Sequence, residues 1–332
     1  MFILENYSSA IIFCIITMLC WGSWANTQKL SAGTWRFELF YWDYVIGILL
    51  LSLVFAFTLG SNGSGGRSFI ADLAQADRSS LFSAILGGII FNLANILLVA
   101  AIAIAGMSVA FPVGIGIALV LGVLVNYIDK PEGNALLLFG GVALIALAIV
   151  LNASAYKKLS SGARTTSTKG LVLSVAAGLL MGFFYRFVAR SMFGDFNFPE
   201  PGKISPYTAI VFFAIGILVS NFAFNTYIMK KPFTGSPVSF SQYFRGDFKN
   251  HLAGFFGGMI WCVGMSFNII ASGKTSPAIA YGLGQGATVV AAIWGIFIWK
   301  EFKDAPKGTS LLINAMLLLY LAGLALIILT KI

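Results

Sequence analysis

The chain has 332 residues, 58% hydrophobic and only 10% charged, with a mean hydropathy of +0.89. A soluble globular domain carries about 25% charged residues, so this composition excludes one and points to a polytopic membrane protein. The net charge of +9 fits a basic cytoplasmic face rather than a nucleic-acid partner.

A helix that spans a bilayer needs roughly 20 mainly apolar residues. Ten segments qualify, at about 8–27, 41–59, 81–105, 108–128, 134–152, 169–193, 207–229, 250–271, 277–299 and 309–330. The first is expected to be a retained helix: the opening MFILENYSS has no basic n-region, and no small-residue cleavage site follows residue 27. Three connections are longer and more polar, at 60–80, 194–206 and 230–249, and a Ser/Thr-rich basic linker runs over 153–168. No soluble domain fits between the spans. An even number of spans places both termini on one side. Thirteen of the 21 Lys and Arg residues fall in the connections after odd-numbered spans. The positive-inside bias then predicts a multi-pass protein of the inner or plasma membrane, with both termini outside and the linker in the cytoplasm.

The chain repeats itself. Residues 87–125 (GGIIFNLANILLVAAIAIAGMSVAFPVGIGIALVLGVLV) align without a gap on 257–295 (GGMIWCVGMSFNIIASGKTSPAIAYGLGQGATVVAAIWG), an offset of 170. Gly87 and Gly88 fall on Gly257 and Gly258, and Gly114 and Gly116 on Gly284 and Gly286. IGIL at 46–49 recurs at 215–218, Gly22 with Trp24 matches Gly182 with Phe184, and Gly133 with its apolar run matches Gly308 with its own. The expected fold class is therefore all-α, ten transmembrane helices as two inverted five-helix repeats: 1–152, the linker 153–168, and 169–332. Five is odd, so the second copy enters the membrane from the opposite side, a common construction of secondary transporters.

Glycines in such helices allow close packing, and GLLMG at 178–182, GFFGG at 254–258 and GLGQG at 282–286 are small-xxx-small faces. Polar side chains need another reason, because an amide facing lipid costs several kcal/mol by rough transfer estimates. Tyr281 and Gln285 are four apart and share a helix face; their counterparts Phe111 and Ile115 are apolar. Asn92 and Asn95 share a face of the third span, Asn268 lies on the matching eighth, and Asn221 and Asn225 lie on the seventh. Each Asn suits an interhelical hydrogen bond as well as a solute contact. As a group they favour a neutral, hydrogen-bonding solute. An anion would call for buried cations, for which Arg186 and Arg190 are the candidates. The expected site lies between the third, fourth, eighth and ninth spans, helped by the first and sixth. In it Asn92, Asn95, Asn268, Tyr281 and Gln285 bind the solute, and Trp21, Trp24 or Trp261 stacks on a planar ring or sugar face.

Asp43, in YWDYVIG, is the one acidic residue within an apolar span. It reads either as a proton- or sodium-coupling site or as a cap at a helix N-terminus; Glu38 nearby is expected in water. Three cysteines within apolar runs suggest neither a disulfide framework nor a zinc site. The one histidine, His251, excludes a histidine-based metal or relay cluster. No HExxH, GxSxG or GxxxxGK[ST] occurs, and the glycines at 282–286 lie within a span rather than at a strand-to-helix turn. No enzyme activity and no cofactor are expected.

Several stretches resemble a known family: ENYSSAIIF running into LCWGSWANTQKL, WDY at 42–44, ADLAQAD with LGGIIFNLAN over 71–95, GMSVAFPVGIGIALVLGVLVNYI at 106–128, HLAGFFGGMIW at 251–261 and AIWGIFIWKEFKDAP at 292–306. Together they resemble the ureide permease family and the related bacterial glucose/ribose porters of the drug/metabolite transporter superfamily. The resemblance implies proton-coupled uptake of a small neutral polar compound, a ureide or nucleobase on one hand, a sugar on the other. Plant ureide permeases carry a long central loop with a nucleotide-binding-like motif, and 153–168 is short and lacks it. The implied partners are the solute, a proton or sodium ion and the lipid bilayer, with no nucleic acid; a homodimer is compatible with the sequence. Export of metabolites or drugs on the same fold, or a scaffold or sensor without transport, are the competing readings.

Overall fold

The structure, a computed structural model, describes residues 1–31, 35–159 and 167–331. Among these, ten helices are long and apolar enough to cross a bilayer: α1 Tyr7–Ser31, α2 Phe37–Phe57, α3 Arg78–Ala105, α4 Pro112–Asp129, α5 Ala135–Leu159, α6 Thr168–Ser191, α7 Pro206–Lys230, α8 Phe248–Thr275, α9 Pro277–Ile298 and α10 Thr309–Lys331. No strand forms among the described residues; Met192 and Ile204 make one isolated bridge. Apolar residues dominate each of these helices, as lipid and a bundle interior together require.

Several ends differ from the hydropathy reading, and polar helix termini explain why. Helix α2 begins at Phe37, four residues before the apolar run, because extended Arg36 opens the helix and Glu38 sits in its first turn, where the helix dipole favours an anion. Helix α3 likewise begins at Arg78, after Asp77. Helix α5 continues through Leu159 and α6 starts at Thr168, so the outer parts of the expected linker are helical. Its residues 160–166 lie outside the described residues.

The two ends of the bundle are distinct. On one, the terminal face, the Met1 amino group donates to the Gly65 carbonyl at 2.6 Å, Tyr7 Oη to the Ile328 carbonyl at 2.7 Å and Asn134 N to the Thr330 carbonyl at 3.0 Å. On the other, the linker face, Lys29 and Tyr156 both meet Glu301, at 2.7 and 2.8 Å, and Arg36 donates to the Ser236 carbonyl at 2.7 Å.

Small residues set the closest helix approaches. A β-carbon at Gly88 of α3 would lie 2.0 Å from the Phe213 carbonyl oxygen of α7, and one at Gly216 of α7 would lie 2.1 Å from the Ile85 carbonyl of α3. The same reciprocal crossing joins α8 and α2: Gly258 against the Tyr44 carbonyl at 1.9 Å, and Gly47 against Phe255 at 2.2 Å. Each of these four backbones touches its neighbour where any side chain would collide. Gly88 and Gly258 are 170 apart, and Gly47 and Gly216 both belong to the repeated IGIL.

Candidate functional site

A cavity of about 460 Å³ lies between α1, α3, α4, α6, α8 and α9. Its floor is aromatic. Trp21 of α1 stacks on Trp261 of α8, with centroids 5.9 Å apart and planes 14° apart; Phe91 of α3 lies 4.5 Å from Trp261, and Phe184 of α6 lies 5.2 Å from Phe91. Phe213 of α7 backs Trp261 in a stacked pair at 5.8 Å. From this floor the lining continues to Gln28 and Ala103 near the ends of α1 and α3 and to Ala291 of α9, so the space extends toward the linker face.

No charged side chain is among the described residues that line the cavity. Its polar groups are Asn95, Gln285, Gln28 and Thr288. Asn95 Nδ2 donates to Tyr41 Oη at 3.1 Å; Tyr41 donates to Asn92 Oδ1 at 2.9 Å; Asn92 Nδ2 donates to Ser220 Oγ at 2.9 Å. This chain runs from α3 through α2 to α7 and holds the Asn95 carboxamide in one orientation, leaving its oxygen for a ligand. Gln285 is different. It sits where α9 is interrupted: regular helix ends at Gly284 and resumes at Ala287. Between them Gly286 N reaches the Leu283 carbonyl at 2.9 Å and Thr288 N the Gln285 carbonyl at 3.2 Å, both three residues back. Such a tightened turn inside a helix often marks a hinge or a stretch under strain. Thr288 Oγ1 bonds the Gln285 carbonyl at 2.9 Å and pairs with Tyr320 Oη at 2.5 Å. The Gln285 carboxamide itself has no hydrogen-bond partner among the described residues, yet the residue is only 8% exposed. The residue lines the cavity, where a ligand can answer the amide. Opposite, α4 has its own irregular stretch over Phe111–Ile115, and Ile115 lines the cavity.

The structure thus brings Trp21, Trp24, Asn95, Trp261 and Gln285 to one cavity. Three other sequence candidates lie behind its wall. Asn92 is fully buried in the chain just described. Asn268 is fully buried and donates to the Ala280 carbonyl at 2.8 Å, joining α8 to α9. Tyr281 lies over Gly122 and donates to the Ala118 and Met181 carbonyls at 3.2 and 3.0 Å. Nothing in the residue types warned of this: an amide four residues from a cavity residue and one facing a neighbouring helix look alike in sequence. Conversely, Gln28 and Thr288 line the cavity without having been singled out. Thr288 lies three residues past Gln285, the spacing that could have found it; Gln28 fell beyond the hydropathy boundary of the first span.

The charged candidates fall elsewhere. Asp43 is not a cap: Arg36 opens α2, and Asp43 lies two turns inside it, buried against Tyr243 Oη at 2.7 Å and His251 Nδ1 at 2.9 Å. Glu38, expected in water, is buried and held by Arg36 Nε and Nη2 at 3.2 and 2.7 Å. Arg186 and Arg190 both clasp Asp129 at the end of α4, at 2.6 to 2.8 Å, so neither is free for an anion. Asn225 Nδ2 donates to the Glu38 carbonyl at 2.9 Å. Among the described residues no group of three His, Cys, Asp or Glu side chains is placed to hold a metal ion.

Toward the terminal face polar contacts tie the bundle together. Buried Asp72, in the short helix Phe69–Gln75, accepts from Arg67 Nε at 3.0 Å, Ser205 N at 2.7 Å and Thr208 Oγ1 at 2.6 Å. Phe196 lies over Gly273 of α8, and Lys331 of α10 bonds Glu132 and the Lys274 carbonyl.

Comparison with known proteins agrees with this architecture. The family model of the ureide permeases matches residues 40–169 and 157–330. Ureide permease 2 of Arabidopsis thaliana is 24% identical over 98% of this chain and 98% of its own, and ureide permease 1 of the same plant is 22% identical over 98% and 97%. A solved crystal structure shares the fold at a TM-score of 0.62 and 15% identity, over 98% of this chain and 99% of that one. With the family model covering α2 to α10 almost entirely, the chain belongs to the ureide permease family.

Proposed function

We propose that the protein is a secondary transporter that takes up a small, neutral, planar polar solute of the ureide or nucleobase type by alternating access, with a proton as the coupling ion. The observation that carries this reading is the free Gln285 carboxamide in an uncharged cavity floored by stacked indoles. A carboxamide offers an N–H and a C=O side by side, and a ureido or cyclic amide edge offers the complementary pair. Indole faces suit a flat ring. The names of the relatives, ureide permeases, support the same class. A sugar, which would stack one apolar face on Trp21 or Trp24, is the second solute class.

The reading includes two inverted five-helix halves of the drug/metabolite transporter type. Four positions related by the repeat support it, since Trp21 and Met181, Trp24 and Phe184, Phe91 and Trp261, and Ile115 and Gln285 all line the one cavity. A pseudo-twofold axis through the cavity would pair them, and rocking of one half on the other would expose the site to each side in turn. With the basic linker face in the cytoplasm, this state is open inward and tied together outward at Asp72. Asp43 is the residue proposed to carry the coupling proton.

The test is uptake into proteoliposomes of labelled allantoin, uracil, xanthine, glucose, ribose and rhamnose under an inward proton gradient, with and without a protonophore. Accumulation of allantoin or the nucleobases that collapses with the protonophore is the expected result. Sugar accumulation alone would transfer the site to the second class. Flux indifferent to the protonophore would remove the proton from the mechanism, and no flux of any solute would favour export or a scaffold role.

A further inference from the structure

The buried carboxylate of Asp43 and the chain's one histidine face each other. His251 Nδ1 of α8 stands 2.9 and 3.0 Å from the two oxygens of Asp43. A single N–H shared between both oxygens is the arrangement of a histidine whose Nδ1 carries hydrogen and donates. The two residues differ in access: the Asp43 side chain is 8% exposed and that of His251 26%. The imidazole is boxed on its flanks by Trp35, edge-on at 5.0 Å, and Tyr243, edge-on at 4.9 Å. Its Nε2 borders Gly246, where a β-carbon would come within 2.9 Å. Gly246 in turn lines a cleft of about 370 Å³ on the linker face, with Trp35, Arg245 and Asn250. The histidine is thus the more accessible member of the pair, and its Nε2 faces a residue that lines the cleft.

We propose that Asp43 and His251 form one proton-holding pair that serves as the coupling site, with His251 Nε2 as the atom at which the proton is taken up and released. This rests on the transport reading above. With the proton bound, the pair is imidazolium and carboxylate, with no net charge. Loss of the Nε2 proton to water in the cleft leaves a neutral imidazole still donating from Nδ1 to a carboxylate, with a net charge of −1. Around the pair, Tyr243 comes from the short helix Phe240–Phe244 and donates to Asp43. Arg36, just before α2, and Glu38 in its first turn are bound to each other, and Arg36, Arg245 and Asp247 edge the cleft. The pair is outside the solute cavity, yet one turn of α2 connects them. Tyr41, two residues before Asp43, bonds Asn95 in the cavity wall, and Tyr44, one residue after it, lies 4.8 Å from Trp24. A change in the grip of α8 on Asp43 is thus a change in the position of two residues that shape the solute site. His251 acts on the solute through α2 and is a positioning residue.

Because the chain has one histidine, selective ¹⁵N-histidine labelling reports one ring. The experiment is an NMR titration in lipid nanodiscs from about pH 5 to about pH 9, across the ordinary histidine range, of the wild type, Asp43→Asn and Tyr243→Phe. If the two side chains hold one proton between them, Asp43→Asn changes the pH at which the ring signals respond. Tyr243→Phe, which removes a second donor to the carboxylate, is expected to change that pH as well. Equal midpoints in all three proteins overturn the pair. In parallel, His251→Gln is compared with wild type for proton-driven accumulation of labelled allantoin and for gradient-free allantoin exchange. The expected result is at least a tenfold loss of accumulation and a flat pH profile, with exchange retained. Accumulation by His251→Gln with the wild-type pH profile overturns the coupling role. A wild type that moves no allantoin while the ring titrates as expected sinks the transport reading and leaves the proton pair standing.

Discussion

Helices α3 and α8 carry the same pattern 170 residues apart, and their second halves have opposite environments. Leu98, Val99, Ile102 and Ala103 line the cavity. Their counterparts Asn268, Ile269 and Ser272 are buried, and Gly273 lies under Phe196. The bends that follow are nonetheless alike: Gly106 has φ +81 and Ser276 has φ +117. One backbone plan is thus used twice, splayed in one copy and shut in the other. In the proposed rocking cycle this would be one frame. In the proposed mechanism the other frame would exchange the two environments.

The largest effect is expected where the plan is most nearly equal. Gly88→Ala and Gly258→Ala each drive a methyl group into a carbonyl oxygen 2.0 or 1.9 Å away, and overpacking of this kind costs about 1–3 kcal/mol. Both variants should lower the melting temperature in detergent by similar amounts. A clear drop in only one would break the equivalence of the two crossings.

The next test concerns chemistry rather than packing. Gln285 and Ile115 occupy related positions on opposite walls, but only Gln285 can bond a solute. Gln285→Ala should reduce apparent affinity or transport about tenfold, the equivalent of 1.4 kcal/mol, whereas Ile115→Ala should change it less than about threefold. Wild-type uptake by Gln285→Ala at matched expression would take this residue out of the site.

Smaller still is the effect of the two bends. A non-glycine residue at positive φ stores about 1 kcal/mol or more of strain. Gly106→Ala should therefore destabilise by about 1 kcal/mol and Ser276→Gly should stabilise by a similar or lesser amount, since the Ser276 hydroxyl caps Ile279 N only at 3.4 Å. Thermal denaturation checks both; a stabilising Gly106→Ala would mean that the α3–α4 bend is not held in its present form.

The smallest effect lies at the terminal face. Burial raises the pKa of Glu132, but hydrogen bonds and charges from Lys331 and Lys130 outweigh burial and hold it below its ordinary value. A depressed carboxylate contributes stability above its unfolded pKa of about 4.3 and loses that contribution as pH falls through the lower folded value. Between about pH 5 and pH 3 the wild type should therefore lose slightly more melting temperature than Glu132→Gln. An identical acid profile would show that this tie adds nothing to stability.

Much of the candidate site was legible because bilayer physics restricts where polar groups sit. Trp21, Trp24, Asn95, Trp261 and Gln285 stand out as polar or amphipathic groups in spans where lipid tolerates few, and all five meet at the cavity. Asn92, Asn268 and Tyr281 stand out for the same reason, and each instead bonds within the protein. Composition reports that a polar group has a partner, not whether the partner is a solute or a neighbouring helix. Asp43 shows the same limit. Its burial was readable from the apolar run around it, but its partners Tyr243 and His251 are 200 and 208 residues away.

By itself the sequence determined the ten helices, the repeated glycine framework and the scarcity of charge within the spans. Those follow from the need of every backbone group in lipid to be satisfied within its own helix and from the small residues that close packing demands. The tertiary structure alone decided which repeat-related halves are splayed and which are shut, that the Gln285 amide is left free while the Asn268 amide nitrogen is taken up by the Ala280 carbonyl, and that the one histidine meets the one carboxylate deep in an apolar span. These depend on crossings between helices far apart in the chain, where a shift of one turn exchanges a cavity wall for a buried seam.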